Sequence, residues 1–169
     1  MKRIGCLLLC CLILFSISGC PASENENTNP VFFYYLRNPS DYIYGSEDGV
    51  IFGESREISG HEGDLKYLLT LYLQGPLDEK LHPPFPDGCR ILELQRDDTQ
   101  LTLLLNANFS TLKDMDLTLA CICISKTCFS LTDAQSIRIM AESFTDQIAV
   151  DQTIHINSLL NEASKGITP

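Results

Sequence analysis

Three cysteines fall close together in LTLACICISKTCFSL, at Cys121, Cys123 and Cys128. Cysteine at such spacing can serve as a metal clamp, a redox pair or part of a disulfide frame. The segment from Asp114 to Leu131 is 18 residues long, which exceeds an ordinary strand and predicts a helix. Asp114 and Asp116 at its start suit a helix N-terminus, where carboxylates complement the dipole. On that helix Cys121 and Cys123 point about 160° apart, and Cys121 and Cys128 share a face but stand about 10.5 Å apart along the axis. A disulfide needs Cα atoms within roughly 7 Å, and two ligands of one zinc ion must come closer still. No pair closes locally, and the stretch contains no C-x-x-C. The three read as small buried apolar side chains, with a bridge from one of them to Cys89 left open. No metal and no cofactor is expected. Leu119 and Cys123 fall nearly opposite the Leu117–Cys121–Ile124–Cys128 face. A helix apolar on two sides is covered twice or meets a partner, so Leu119 and Cys123 mark a candidate interaction face.

The remaining polar residues form no recognisable catalytic set. His61, His82 and His155 are scattered, and none has a sequence-local partner that would make a nucleophile–base pair. Asp97-Asp98 reads as a hairpin turn. There is no G-x-S-x-G, no phosphate loop and no H-E-x-x-H. Paired carboxylates could still serve a cell-wall glycosidase, although the chain lacks tryptophan for stacking on sugar. Catalytic residues are therefore assigned nowhere, and the chain reads as a binding protein rather than an enzyme.

The elements that would hold these residues follow from periodicity. HEGDLKYLLTLYLQGP (61–76) predicts a helix, with Leu65, Leu68, Leu69, Tyr72 and Leu73 on one stripe and Gly75-Pro76 as its stop. Val31 to Leu36 and Val50 to Ile58 predict strands, with a further extended piece about Gly45. LDEKLHPPFPDGC (77–89) reads as a stiff proline-rich linker. RILELQRDDTQLTLLLNANF (90–109) alternates as a β-hairpin turning at Arg96 to Gln100. SIRIMAE (136–142) predicts a short strand, and 144–160 a last hairpin. Strand, helix, hairpin, helix, strand is an α+β order: one compact domain, with two helices packed on one face of a small mixed or antiparallel sheet.

Export is written at the N-terminus. Lys2 and Arg3 precede an apolar run, Ile4 to Ile17, too short for the ~20 residues of a spanning helix. Ile17-Ser18-Gly19-Cys20 resembles a bacterial lipobox, which makes residues 1–19 a lipoprotein signal peptide and Cys20 the acylated first residue of the mature chain. Residues 20–30, with Pro, Ser, Asn and Glu and little to bury, read as a flexible tether. Residues 31–160 form the domain, and 161–169 a C-terminal tail. Removing Lys2 and Arg3 from 12 basic and 22 acidic residues leaves the mature chain at −12. That balance argues against nucleic acid as a partner. The expected location is the outer face of the cytoplasmic membrane, with the membrane as one partner through Cys20. An unidentified envelope protein or a second copy of the chain is the other.

DLKYLLTLYLQGP (64–76), PFPDGCRILELQRDDTQLTLLLNANF (84–109) and DLTLACICISKTCFSLTDAQSIRI (116–139), in that order, resemble the GerMN domain of sporulation and spore-germination proteins and related bacterial lipoproteins. Gly75-Pro76, Pro86, Gly88, the Asn108-Phe109-Ser110 strand end and the Ile-Arg-Ile strand carry the likeness. The resemblance implies a compact α+β domain like the ring-building domains of sporulation machinery. It implies an assembly or scaffolding role and supplies no catalytic or ligand residue to carry over. A cell-wall enzyme and a small-molecule-binding lipoprotein are the alternatives. An enclosed pocket between helix and sheet would favour the latter, and a solid core would count against it.

Overall fold

Alternation makes the first strand. Phe33 and Tyr35 are fully buried, while Phe32 just before them is 43% exposed and Tyr34 between them is half-buried, the two-residue period of a sheet with one face on a core. The chain is described here by a computed structural model covering residues 30–41, 49–61 and 63–159. The expected signal peptide, Cys20, the expected tether up to residue 29, the extended piece expected about Gly45 and the expected C-terminal tail lie outside the described residues.

In chain order the elements are β1 (Val31–Arg37), β2 (Ile51–Arg56), α1 (Leu65–Leu73), β3 (Leu81–His82), β4 (Ile91–Asp97), β5 (Gln100–Leu105), α2 (Asp114–Leu131), β6 (Ser136–Glu142) and β7 (Ile148–His155). The class is α+β. The strands divide, however, into two sheets where a single one was expected: an antiparallel sheet in the order β2-β1-β3, and a four-stranded sheet in the order β4-β5-β6-β7. The second is mixed, because β5 and β6 run parallel while β4–β5 and β6–β7 are antiparallel. Parallel neighbours need a long crossover, and α2 is that crossover.

The split has a local cause. β3 pairs with β1 only at Leu36 and Arg37, and α2 lies along the rest of that edge. The Tyr34 amide donates to Thr127 Oγ1 at 2.9 Å, and the Ser130 hydroxyl donates to the Phe32 carbonyl at 2.7 Å. Two helix hydroxyls thus satisfy the backbone groups that another strand would have taken, and the ladder stops there.

Each helix is fixed by its ends and its stripe. Asp64 caps α1 by accepting from the Tyr67 amide at 3.0 Å. Gly75, at φ 98°, ends the turn with its amide on the Tyr72 carbonyl at 3.1 Å, a conformation glycine takes without a Cβ penalty. Leu69 and Tyr72 of α1 and Cys121, Ile124 and Cys128 of α2 meet Leu101, Leu103 and Leu105 of β5 and Ile137 and Ile139 of β6 in one core. Each leucine and isoleucine among them contributes about 1.5–3 kcal/mol by leaving water.

Two stretches differ from their expected form. The proline-rich segment 77–89 is more than a linker: it supplies β3 and buries Leu81, Phe85 and Cys89. Residues 144–160 yield one strand instead of a hairpin, β7, which folds back on β6 with Val150 opposite Ala141 and Ile154 opposite Ile137.

Candidate interaction surface

The cysteines are settled first by burial. Cys89, Cys121, Cys123 and Cys128 are all buried free thiols. Burial pushes Cys89 and Cys123 up to about 12 and Cys121 to about 11, from an ordinary 9.0, and raises Cys128 as well. A thiolate is the nucleophile and the metal ligand, so these groups are chemically quiet near neutrality. Cys123 is 0% exposed and sits beside Tyr72. Its place in the expected interaction face is corrected accordingly: at the β1 side of α2 it fills the joint between helix and strand and presents no surface. Leu119, half-exposed, does reach solvent.

Leu119 belongs to a larger face. On α2 the side away from the core carries Met115, 67% exposed, then half-exposed Leu119, Ile122 and Lys126, the i, i+4, i+7, i+11 spacing of one helical stripe. Lys126 Nζ stands 5.1 Å from the centre of the Tyr34 ring, which joins this stripe to the outer face of β1. There Phe32, Tyr34 and Leu36 lie in a row. On β2 the residues opposite them are Ser55, Gly53 and Ile51. At Gly53 the ring packs close: a Cβ there would come within 3.2 Å of the Tyr34 side chain, tighter than an ordinary contact. Helix stripe and strand row together make an uncovered surface with one lysine and no carboxylate among these residues. In a chain of 22 acidic residues that composition sets the face apart. At its Leu36 end it runs into a shallow groove of about 240 Å³ between the 83–86 proline loop, Leu112 and Asp116.

The inner side of the same sheet is held rigid. Arg56 is buried against Phe33, with its guanidinium 5.0 Å from the ring centre. It donates to Glu54 Oε2 at 2.8 Å and to the Gly75 carbonyl at 2.7 Å. Glu54 Oε1 in turn accepts from the amides of Leu77 and Asp78, both at 2.8 Å. This buried pair fastens β2 to the end of α1, and removing either partner would leave an uncompensated charge. Sequence reading missed it, because two charged residues two positions apart on a strand normally face solvent together. Tyr72 completes the joint: its hydroxyl donates to the Tyr34 carbonyl at 2.9 Å, its carbonyl accepts from the Tyr35 hydroxyl at 2.9 Å, and its ring stacks on Tyr35 at 5.0 Å.

Elsewhere the polar groups stand apart. His61 stacks on Tyr67 in the open at 3.9 Å, His82 Nδ1 meets Asn38 Oδ1 at 3.0 Å, and His155 lies on β7 opposite Ser136. The far face of the four-stranded sheet is an open groove of about 360 Å³, with Glu93 and Asp97 on β4 and Arg138 on β6. Arg138 there is clamped in two hydrogen bonds to Asp151, at 2.9 and 2.7 Å. Among the described residues no three His, Cys, Asp or Glu side chains are placed to hold a metal ion. Between α1, α2 and β5, where a ligand cavity would have to lie, Leu69, Tyr72 and Ile124 leave about 10 Å³. That is no more than one water needs.

No protein-family model matches the chain, and no curated protein does. Solved structures do. The chain is similar to a candidate lipoprotein from Clostridium perfringens, at 14% identity and TM-score 0.47 over 77% of this chain and 87% of that one. It is also similar to the tandem GerMN domains of the sporulation protein GerM from Bacillus subtilis, at 13% identity and TM-score 0.50. That alignment covers 81% of this chain and 49% of the other, so this chain spans about half the length of the tandem. At that identity the likeness is one of fold: this chain, with its mixed sheet and its βαβ crossover through α2, has a fold similar to that of the tandem GerMN domains.

Proposed function

We propose that this protein is a lipid-anchored, non-catalytic domain at the outer face of the bacterial cytoplasmic membrane, which binds an envelope protein through the face built on α2 and β1. A role in sporulation or germination is the setting that the fold suggests. The observation that carries the reading is the carboxylate-free apolar stripe of Met115, Leu119 and Ile122, uncovered on an otherwise acidic domain. Surfaces of that kind mark association sites on exported and cytosolic proteins alike. The anchor rests on the lipobox-like Ile17-Ser18-Gly19-Cys20. Two or more acyl chains at Cys20 would hold the protein stably, at roughly 0.8 kcal/mol for each buried methylene.

The competing readings each lose support. A ligand-binding lipoprotein needs an enclosed cavity, and the core is solid where one would lie. A wall-active enzyme needs an unpaired acid held at a raised pKa; the buried glutamate here, Glu54, is tied to Arg56 and two amides. Two measurements test the proposal. Mass spectrometry of the N-terminal peptide from native membranes should find Cys20 acylated, and Cys20→Ala should move the protein out of the membrane fraction. Purified protein incubated with peptidoglycan should release no muropeptides. Release that is abolished by changing one carboxylate would replace the proposal with the enzyme.

A further inference from the structure

The face divides by its distance from the anchor, and we infer that the Phe32 end of β1 rests on the lipid bilayer itself. This deepens the proposal above and depends on its anchor at Cys20. Pro30 enters β1 directly, and only residues 21–29 separate it from Cys20. Fully extended, such a segment spans at most about 35 Å, comparable to the diameter of a domain this size. Contact between the near end of the domain and the bilayer thus becomes an intramolecular event, at an effective concentration in the millimolar range, so a weak interfacial preference suffices.

The residues at that end have such a preference. Phe32 is 43% exposed. Tyr34 follows on the same face, and Lys126 lies over its ring. An aromatic pair with a cation at the rim is the composition of a surface that enters the headgroup layer, the rings among the upper acyl chains and the ammonium near phosphate. Net acidity forbids general electrostatic adhesion, so contact is restricted to this carboxylate-free patch and is expected on zwitterionic lipid. The Met115–Leu119 end of the stripe points away from the tether and stays open for the protein partner. The direction follows from the topology: Ser130, near the end of α2, bonds Phe32, and Thr127 bonds Tyr34, so α2 runs antiparallel to β1 and Met115 lies at the far end.

The absence of tryptophan supplies the test. The unacylated mature chain from Cys20 carries F32W as its sole tryptophan and is coupled through Cys20 to a maleimide lipid in phosphatidylcholine vesicles; the other thiols are buried and do not compete. The control is F144W, at an exposed position in the β6–β7 turn at the other end of the molecule. Indole emission from the F32W chain should shift to shorter wavelength and lose about half its intensity when the vesicles contain brominated phosphatidylcholine, an effect confined to groups within the acyl region. The F144W chain should show neither change. S55W, beside Phe32 on the neighbouring strand, gives a second reporter if F32W fails to fold. Unquenched emission from F32W, or equal quenching of F144W, overturns the inference. So does a blue shift that grows with protein density without bromine quenching, which assigns the patch to a second copy. Synthetic coupling makes the result independent of acylation in the cell: native Cys20 found unmodified would fail the anchor alone.

Discussion

At the scale of single residues, the cysteines change from candidate chemistry to core. Spacing alone showed that Cys121, Cys123 and Cys128 cannot close on one another from a helix, and the structure leaves all three as buried thiols. Spacing could not show what covers Cys123, because the second cover is β1, which lies far earlier in the sequence. The thiols bind their protons more tightly folded than unfolded, Cys89 and Cys123 to about 12 and Cys121 to about 11 against 9.0. A raised folded-state value stabilises fully below the unfolded value and is lost as pH climbs through the folded one. Below 9.0 the thiols are protonated in both states, so stability is undiminished at acid and neutral pH. Above it the unfolded thiols ionise while the buried ones stay protonated, and unfolding is favoured. The thermal midpoint of the soluble domain lacking Cys20 should therefore stay level with respect to these groups below pH 9.0 and fall from there to about 12. At neutral pH a bulky disulfide reagent should find no reactive thiol in the folded domain and all four after denaturation. Fast labelling of the native protein would mean that the core is open.

At the scale of elements, the sequence carried the parts with strong local period. The stripe Leu65–Leu68–Leu69–Tyr72 and the stop at Gly75-Pro76 appear as α1, the 18-residue apolar run as α2, and the alternation either side of Asp98 as β4 and β5. Less legible were pairings made by single side chains. β3 is two residues in a proline-rich stretch, below the length at which alternation can be read, and Leu81 and Phe85 are buried by contacts distant in sequence. The division into two sheets depends on Thr127 and Ser130, which look like ordinary polar positions of a helix until β1 lies beside them. That joint is testable. Thr127→Val keeps the shape of the side chain but leaves the Tyr34 amide without its acceptor, at a cost of about 1–3 kcal/mol. Urea denaturation should show a lower midpoint at an unchanged slope; an unaltered midpoint would mean that the helix does not complete the strand.

At the scale of the whole molecule, one side of the four-stranded sheet is packed under the helices while the other is open, acidic and self-paired through Arg138 and Asp151. The β1–α2 face is the contrasting surface. It was half legible in advance: Leu119 stood out as apolar on the wrong side of its helix, whereas Phe32 and Tyr34 read only as strand residues until α2 was placed against them. No helix among the described residues is long and apolar enough to cross a membrane. In the proposed function attachment is assigned to Cys20, and recognition to this face. The most direct measurement places a photo-crosslinking amino acid at position 119 in the anchored protein in living cells, with position 95 on the open sheet face as the comparison. A discrete adduct with one envelope protein from position 119, none from position 95, and loss of that adduct in the Met115→Asp variant is the expected result. Adducts from position 95 alone, or none from position 119, would contradict an interaction domain built on this face.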